Sequence, residues 1–214
     1  MSATAISLLT LAGMSAIANW IAVARGSTTA EYVTKPLTMV FLVGVALTID
    51  PTDPAQRAWF VVALVFSLAG DVFLMLPSDM FLAGLASFLL AHVAYTVGFI
   101  ATGDLDRTRL AVAAVAILAF EAVVVGHMAR VMRRAPETQP FVVPIVIYAL
   151  VIGAMVVTAI GSGNGWAIAG AVLFMASDLI IGWNRFVQPL PAGGVVIMVT
   201  YHLGQAGLVV SLAS

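Results

Sequence analysis

Apolar stretches of about 20 residues recur along the whole chain, separated by connectors as short as Pro77-Ser78-Asp79. At 1.5 Å of rise per residue, about 20 helical residues cross the ~30 Å hydrocarbon core of a bilayer. Lipid offers backbone N–H and C=O groups no water, so such a stretch must satisfy them internally, as a helix. Splitting the chain at charged and turn residues gives eight spans: 4–24, 33–49, 58–76, 80–101, 108–130, 140–160, 165–183 and 194–213. Short connectors make neighbouring spans antiparallel. The expected fold is all-α, a single integral membrane domain over residues 1–214 with eight transmembrane helices. Only 9% of the 214 residues are charged, where a soluble domain carries about 25%, so the lipid bilayer is the first partner. Trp20, Trp59, Trp166 and Trp183 fall near span ends, where amphipathic rings favour the headgroup layer.

Charge and composition remove several function classes. A formal net charge of −1 with no basic face argues against a nucleic-acid partner. Without cysteine there is no disulfide, no thiolate nucleophile and no Cys-based metal site. Three scattered histidines speak against a His-rich metal site, and neither metal nor cofactor is expected. The N-terminus lacks the Lys/Arg that precede a secretory signal, so the first apolar run reads as a retained span. Eight Arg against one Lys points to a GC-rich bacterial genome and hence to a bacterial cytoplasmic membrane. The odd connectors hold Arg25, Lys35, Arg130, Arg133, Arg134 and Arg185, against Arg57, Arg107 and Arg109 on the other side. By the positive-inside rule the odd loops are cytoplasmic and both termini lie outside. The oligomeric state is left open.

A faint duplication runs through the chain. Thr34-Lys35-Pro36 pairs with Thr138-Gln139-Pro140, Gly70-Asp71 with Ser177-Asp178, and His92 with Tyr201, at offsets of 104, 107 and 109 residues. Four spans per unit would make the halves parallel repeats, 4+4, about an axis along the membrane normal.

The polar residues inside the spans carry the functional signal. Because spans alternate in direction, Asp71 and Asp178, near the ends of the third and seventh, face the same side. Lys35 and Tyr201, at the starts of the second and eighth spans, share that side, as do Asn184 and Arg185 in the connector after the seventh. Each Asp lies about five or six residues, roughly 8 Å, from its span's end. An Asp at a helix centre costs about 2.5–3.5 kcal/mol on insertion scales, and intramembrane acids are functional by default. The bland alternative is a hydrogen-bonded pair that glues helices. Two carboxyls in different surroundings can divide into an acid and a base. For Lys35 the choice is between snorkelling to the interface and holding a phosphate or carboxylate. Asn184 and Arg185 suit headgroup contact or a phosphodiester. His92 and Tyr95 share a helix face with Phe88 and Phe99, which fits either core or site. Tyr201 and Gln205 share another face, and Gln205 reads as interhelical glue. Glu121, in the middle of the fifth span, reads as structural.

These residues form an ordered set that resembles the YhhN-like lysoplasmalogenase family. The set is Thr34-Lys35-Pro36-Leu37, Gly70-Asp71-Val72-Phe73-Leu74-Met75, Phe81…Gly84…Phe88…His92…Tyr95, Ser177-Asp178 with Asn184-Arg185-Phe186, and Tyr201-His202-Leu203-Gly204-Gln205. It covers nearly the whole chain; each motif is weak alone, and their order makes the set specific. The resemblance implies an eight-helix membrane hydrolase acting on a lysophospholipid substrate. Members of the family cleave the vinyl ether of lysoplasmalogens to a fatty aldehyde and glycerophosphoethanolamine or glycerophosphocholine. It also implies Asp71 and Asp178 as the catalytic pair, with Lys35, His92, Tyr95, Asn184, Arg185, Tyr201 and Gln205 as candidate substrate contacts.

Acid–base chemistry fits two carboxyls independently. A vinyl ether hydrolyses by protonation at its β-carbon and capture of the oxocarbenium ion by water, which asks for one acid and one carboxylate. Glycoside hydrolysis follows the same two-carboxylate logic. The competing class is a proton-coupled transporter of a small or lipid-like substrate, which also uses buried acids and parallel repeats. Depth separates the two, since a lipid-headgroup enzyme wants its acids near one interface and a carrier wants them central.

Overall fold

The computed structural model describes residues 1–213. Eight helices account for most of them: α1 Ala3–Ala24, α2 Thr28–Thr48, α3 Pro54–Met75, α4 Phe81–Ala101, α5 Arg107–Met132, α6 Val142–Ser162, α7 Gly165–Phe186 and α8 Gly193–Val210. Single 3₁₀ turns, Gln139–Phe141 and Ser211–Ala213, extend α6 and α8. All eight are long and apolar enough to cross a membrane. The protein is an all-α integral membrane protein.

The helix starts are written locally. Ser2, Asp53, Asp106 and Asn164 each accept a backbone N–H from the first turn of α1, α3, α5 and α7, satisfying donors that have no intrahelical partner. Pro54 opens α3, where its missing N–H costs nothing. Gly163 closes α6 at φ +70°, a left-handed conformation that suits glycine. The sequential hairpins α1–α2, α3–α4, α5–α6 and α7–α8 pack most extensively, and α4 crosses against α6 and α1 against α8.

The α7–α8 hairpin is the closest of these approaches. A Cβ built on Gly170 would come within 2.6 Å of the Leu208 amide nitrogen, and one on Gly204 within 2.9 Å of that of Phe174. Such backbone contact needs small residues, as helix pairs in lipid commonly do. Buried Phe60, Phe88, Tyr95, Phe99, Phe174 and Tyr201 fill the centre of the bundle.

Several helices run further than the hydropathy spans, and two of these extensions bear on the site. α2 begins at Thr28 rather than 33, so Lys35 sits two turns inside it, and α7 continues to Phe186, so Asn184 and Arg185 lie in its last turn rather than in a connector. The physical reason is that charge marks where a helix leaves hydrocarbon, while the backbone hydrogen bonds continue into the headgroup layer. The acids are consequently not at matched places. Asp71 is four residues from the end of α3 and Asp178 eight from the end of α7.

Candidate active site

α2, α3 and α8 build the first acidic cluster. The Asp71 side chain is 1% exposed, and its Oδ1 lies 3.3 Å from Lys35 Nζ. Tyr201 Oη donates to Asp71 Oδ2 at 2.7 Å. Lys35 is therefore a buried, paired cation rather than a snorkelling one. Gly70 makes room for this arrangement: a Cβ there would stand 2.7 Å from the Phe88 ring of α4. The space beside Asp71 is taken by a neighbouring helix.

α4, α6 and α7 build the second. His92 Nε2 lies 3.0 Å from Asp178 Oδ2 and 2.9 Å from Tyr148 Oη. Tyr148 Oη also donates to Asp178 Oδ2. No lysine or arginine pairs with Asp178 among the described residues. Its partners are an imidazole and a phenol on Oδ2 and the Ser177 hydroxyl, which donates to Oδ1 at 3.3 Å. Between the clusters stands Phe174, its ring centroid 4.6 Å from that of His92 and 5.4 Å from that of Tyr201.

Two adjoining cavities meet these clusters. A cleft is walled by apolar side chains of α3 to α7, with Tyr148 and Asp178 as its polar groups. A wider mouth of about 860 Å³ is lined by Glu31, Lys35, Asn184 and Arg185 with apolar neighbours. Leu74, Phe81 and Ile181 line both. Asp178 is thus on a cavity wall, while Asp71 lies behind Lys35 and lines neither.

The other candidates separate by position. Arg185 donates to Asp79 at 2.9 Å and lies 4.2 Å over the Phe81 ring. Asn184 accepts the Leu190 N–H at 2.9 Å, closing the turn after α7. Tyr95 donates to Gln205 Oε1 at 2.6 Å, and Gln205 donates to Ser67 Oγ at 2.9 Å. This buried chain joins α3, α4 and α8 and lines neither cavity. His202 accepts from Trp20 Nε1 at 3.0 Å. Glu121 is buried against Gly153, and neither carboxylate oxygen has a hydrogen-bond partner among the described residues.

Sequence reasoning missed Tyr148 and Glu31. Tyr148 is one of only four tyrosines, and a hydroxyl in the otherwise apolar α6 was the available signal. Glu31 was hidden by starting the second span at 33.

An eight-helix membrane protein with two acidic clusters between its helices, one of them on an apolar cleft, is the class that fold and site define. The chain belongs to the YhhN family, whose model matches residues 30–212. Human lysoplasmalogenase TMEM86B is 34% identical over 145 residues, 67% of this chain and 58% of its own. The pig (Sus scrofa) lysoplasmalogenase TMEM86B is 32% identical over 71% of this chain and 62% of its own, and the Mycobacterium tuberculosis lysoplasmalogenase 30% identical over 68% and 57%. The chain therefore spans less than two thirds of the length of these curated relatives. No solved structure matches it.

Proposed function

We propose that this protein is a membrane hydrolase that cleaves the vinyl ether bond of a lysoplasmalogen, releasing a fatty aldehyde and a glycerophospho-alcohol. One observation carries the reading: a mouth lined by Lys35, Asn184 and Arg185 adjoins an apolar cleft with Asp178 on its wall, and the two share Leu74, Phe81 and Ile181. That order of charge, carboxyl and apolar volume matches a lysolipid's phosphate, ether and chain. The names of the relatives support the same substrate class.

The chemistry divides unequally between the acids. Asp178, in its acid form, delivers its proton to the β-carbon of the vinyl ether, and the π electrons form the new C–H bond. The ether oxygen stabilises the resulting oxocarbenium ion. The Asp178 carboxylate takes a proton from water as the water oxygen bonds to the cationic carbon, giving a hemiacetal. Breaking the hemiacetal C–O bond passes the hydroxyl proton to the glycerol oxygen and leaves the aldehyde. Tyr148 and His92 hold the Asp178 oxygen in place throughout. Asp71 fixes Lys35 Nζ for the phosphate and adds a negative charge on the same side as the developing cation. Tyr95 and Gln205 belong to the scaffold that orients α4 and α8.

Two finer features follow. The positive-inside bias puts the mouth in the cytoplasmic leaflet and both termini outside. A 4+4 repeat is supported by the way the clusters are wired: α3 pairs with α8 and α2, and α7 with α4 and α6, so each acid draws its partners from equivalent helices of the repeat.

Purified protein in detergent should release aldehyde from an alkenyl lysophospholipid, unaltered by a chelator. Full activity retained in both Asp71→Asn and Asp178→Asn sinks the mechanism.

A further inference from the structure

The mouth holds one charge that the reaction above leaves unused. Glu31 lines it together with Lys35 and Arg185. It is half-buried, four residues before Lys35 on the same face of α2. A Glu followed four residues later by Lys ordinarily forms a pair along the helix. Here Asp71 takes Lys35 at 3.3 Å and Asp79 takes Arg185 at 2.9 Å. Glu31 is in no ion pair among the described residues. The mouth therefore presents two cations and one carboxylate that has no cation of its own.

The order along α2 gives that carboxylate a use. α2 starts at the mouth, so Glu31 lies nearer the water than Lys35 by about 6 Å, at 1.5 Å per residue. A phospho-amine headgroup has the same sequence of charges. Its phosphate lies next to the glycerol, and its ammonium lies one two-carbon bridge further out. We infer that Glu31 selects lysolipids whose headgroup carries an ammonium, with Lys35 on the phosphate and Glu31 on the cation. This rests on the lysolipid reading above and adds the determinant of headgroup choice. Glu31 also sits in the first turn of α2, where a carboxylate complements the helix dipole. That role acts on every substrate alike and cannot alter a ratio between two headgroups.

The test compares an alkenyl lysophosphatidylethanolamine with an alkenyl lysophosphatidic acid, which has the phosphate but no amine. kcat/KM is measured for both lipids with the purified full chain and with Glu31→Gln. The wild-type protein should prefer the amine-bearing lipid, and Glu31→Gln should lower the preference about fivefold, through KM, the scale of a partly exposed ion pair. Glu31→Lys should lower it further. Absence of a preference in the wild type, or an unchanged ratio in Glu31→Gln, overturns the inference. Saturated alkyl-ether analogues of the same two lipids, which cannot be cleaved, give the ratio by equilibrium binding. If no vinyl ether is hydrolysed but the binding ratio falls in Glu31→Gln, the reaction is wrong and the headgroup determinant stands.

Discussion

Asp71 lies four residues from the end of α3 and Asp178 eight from the end of α7, and their surroundings differ in kind as well. Asp71 has a lysine and a tyrosine, one on each oxygen, and lines neither cavity. Asp178 has a histidine and a tyrosine on one oxygen, the neighbouring Ser177 hydroxyl on the other, and stands on the wall of the apolar cleft. The first is closed off behind its cation, and the second faces the cleft. Similar local motifs thus diverge through the third helix each recruits, α2 with Lys35 for one and α6 with Tyr148 for the other.

The largest effect that tests this contrast is Asp178→Asn. Proton transfer by a positioned acid contributes about 10²–10⁴-fold, so kcat should fall by that factor while the thermal midpoint in detergent changes little. A mutant near wild-type activity would remove Asp178 from the chemistry. For Asp71→Asn the expected loss is in the fold: leaving a buried partner uncompensated costs about 3–5 kcal/mol. The double variant Asp71→Asn, Lys35→Met should recover much of that stability without recovering activity, and a double-mutant cycle of unfolding measures the coupling. Additive effects would break the pairing.

The tyrosines sharpen the same division at smaller size. A hydrogen bond to a charged group is worth about 1.5–3 kcal/mol. Tyr201→Phe should show that loss mainly in unfolding, and Tyr148→Phe mainly in kcat. The reverse assignment would exchange the roles of the two clusters.

Arg185→Gln should have the smallest effect, because Asp79 and Arg185 are both solvent-accessible. Its hydrogen bond to Arg185 holds the Asp79 carboxyl below its usual range. A lowered folded-state pKa contributes stability above the unfolded pKa, and the contribution is lost as pH falls through the folded value. Any difference in thermal midpoint between the two proteins should thus exist near neutral pH and vanish on acidification. A difference that persists in acid would belong to the Arg185 contact with Phe81 instead.

The helices were legible because hydrocarbon leaves the backbone one choice, and every predicted span became a helix. Parity alone put Asp71, Asp178, Lys35 and Tyr201 on one side, and the structure joins three of them. The ends were less legible: Glu31 and Arg185 look like loop residues in a hydropathy profile, although their helices carry them into the headgroup layer. Partner choice was not legible at all. Nothing in the spacing says that Tyr148 reaches Asp178, or that Gln205 meets Tyr95 rather than a substrate, because those contacts depend on how the helices are rotated against one another.

The glycine seam between α7 and α8 sets the scale of the whole site. Backbone lies against backbone at Gly170 and Gly204, between the helix bearing Asp178 and the helix bearing Tyr201. Phe174, wedged at that seam, works as a caliper between the two acidic clusters. A single methyl group at Gly170 would meet the α8 backbone and re-gauge both clusters at once.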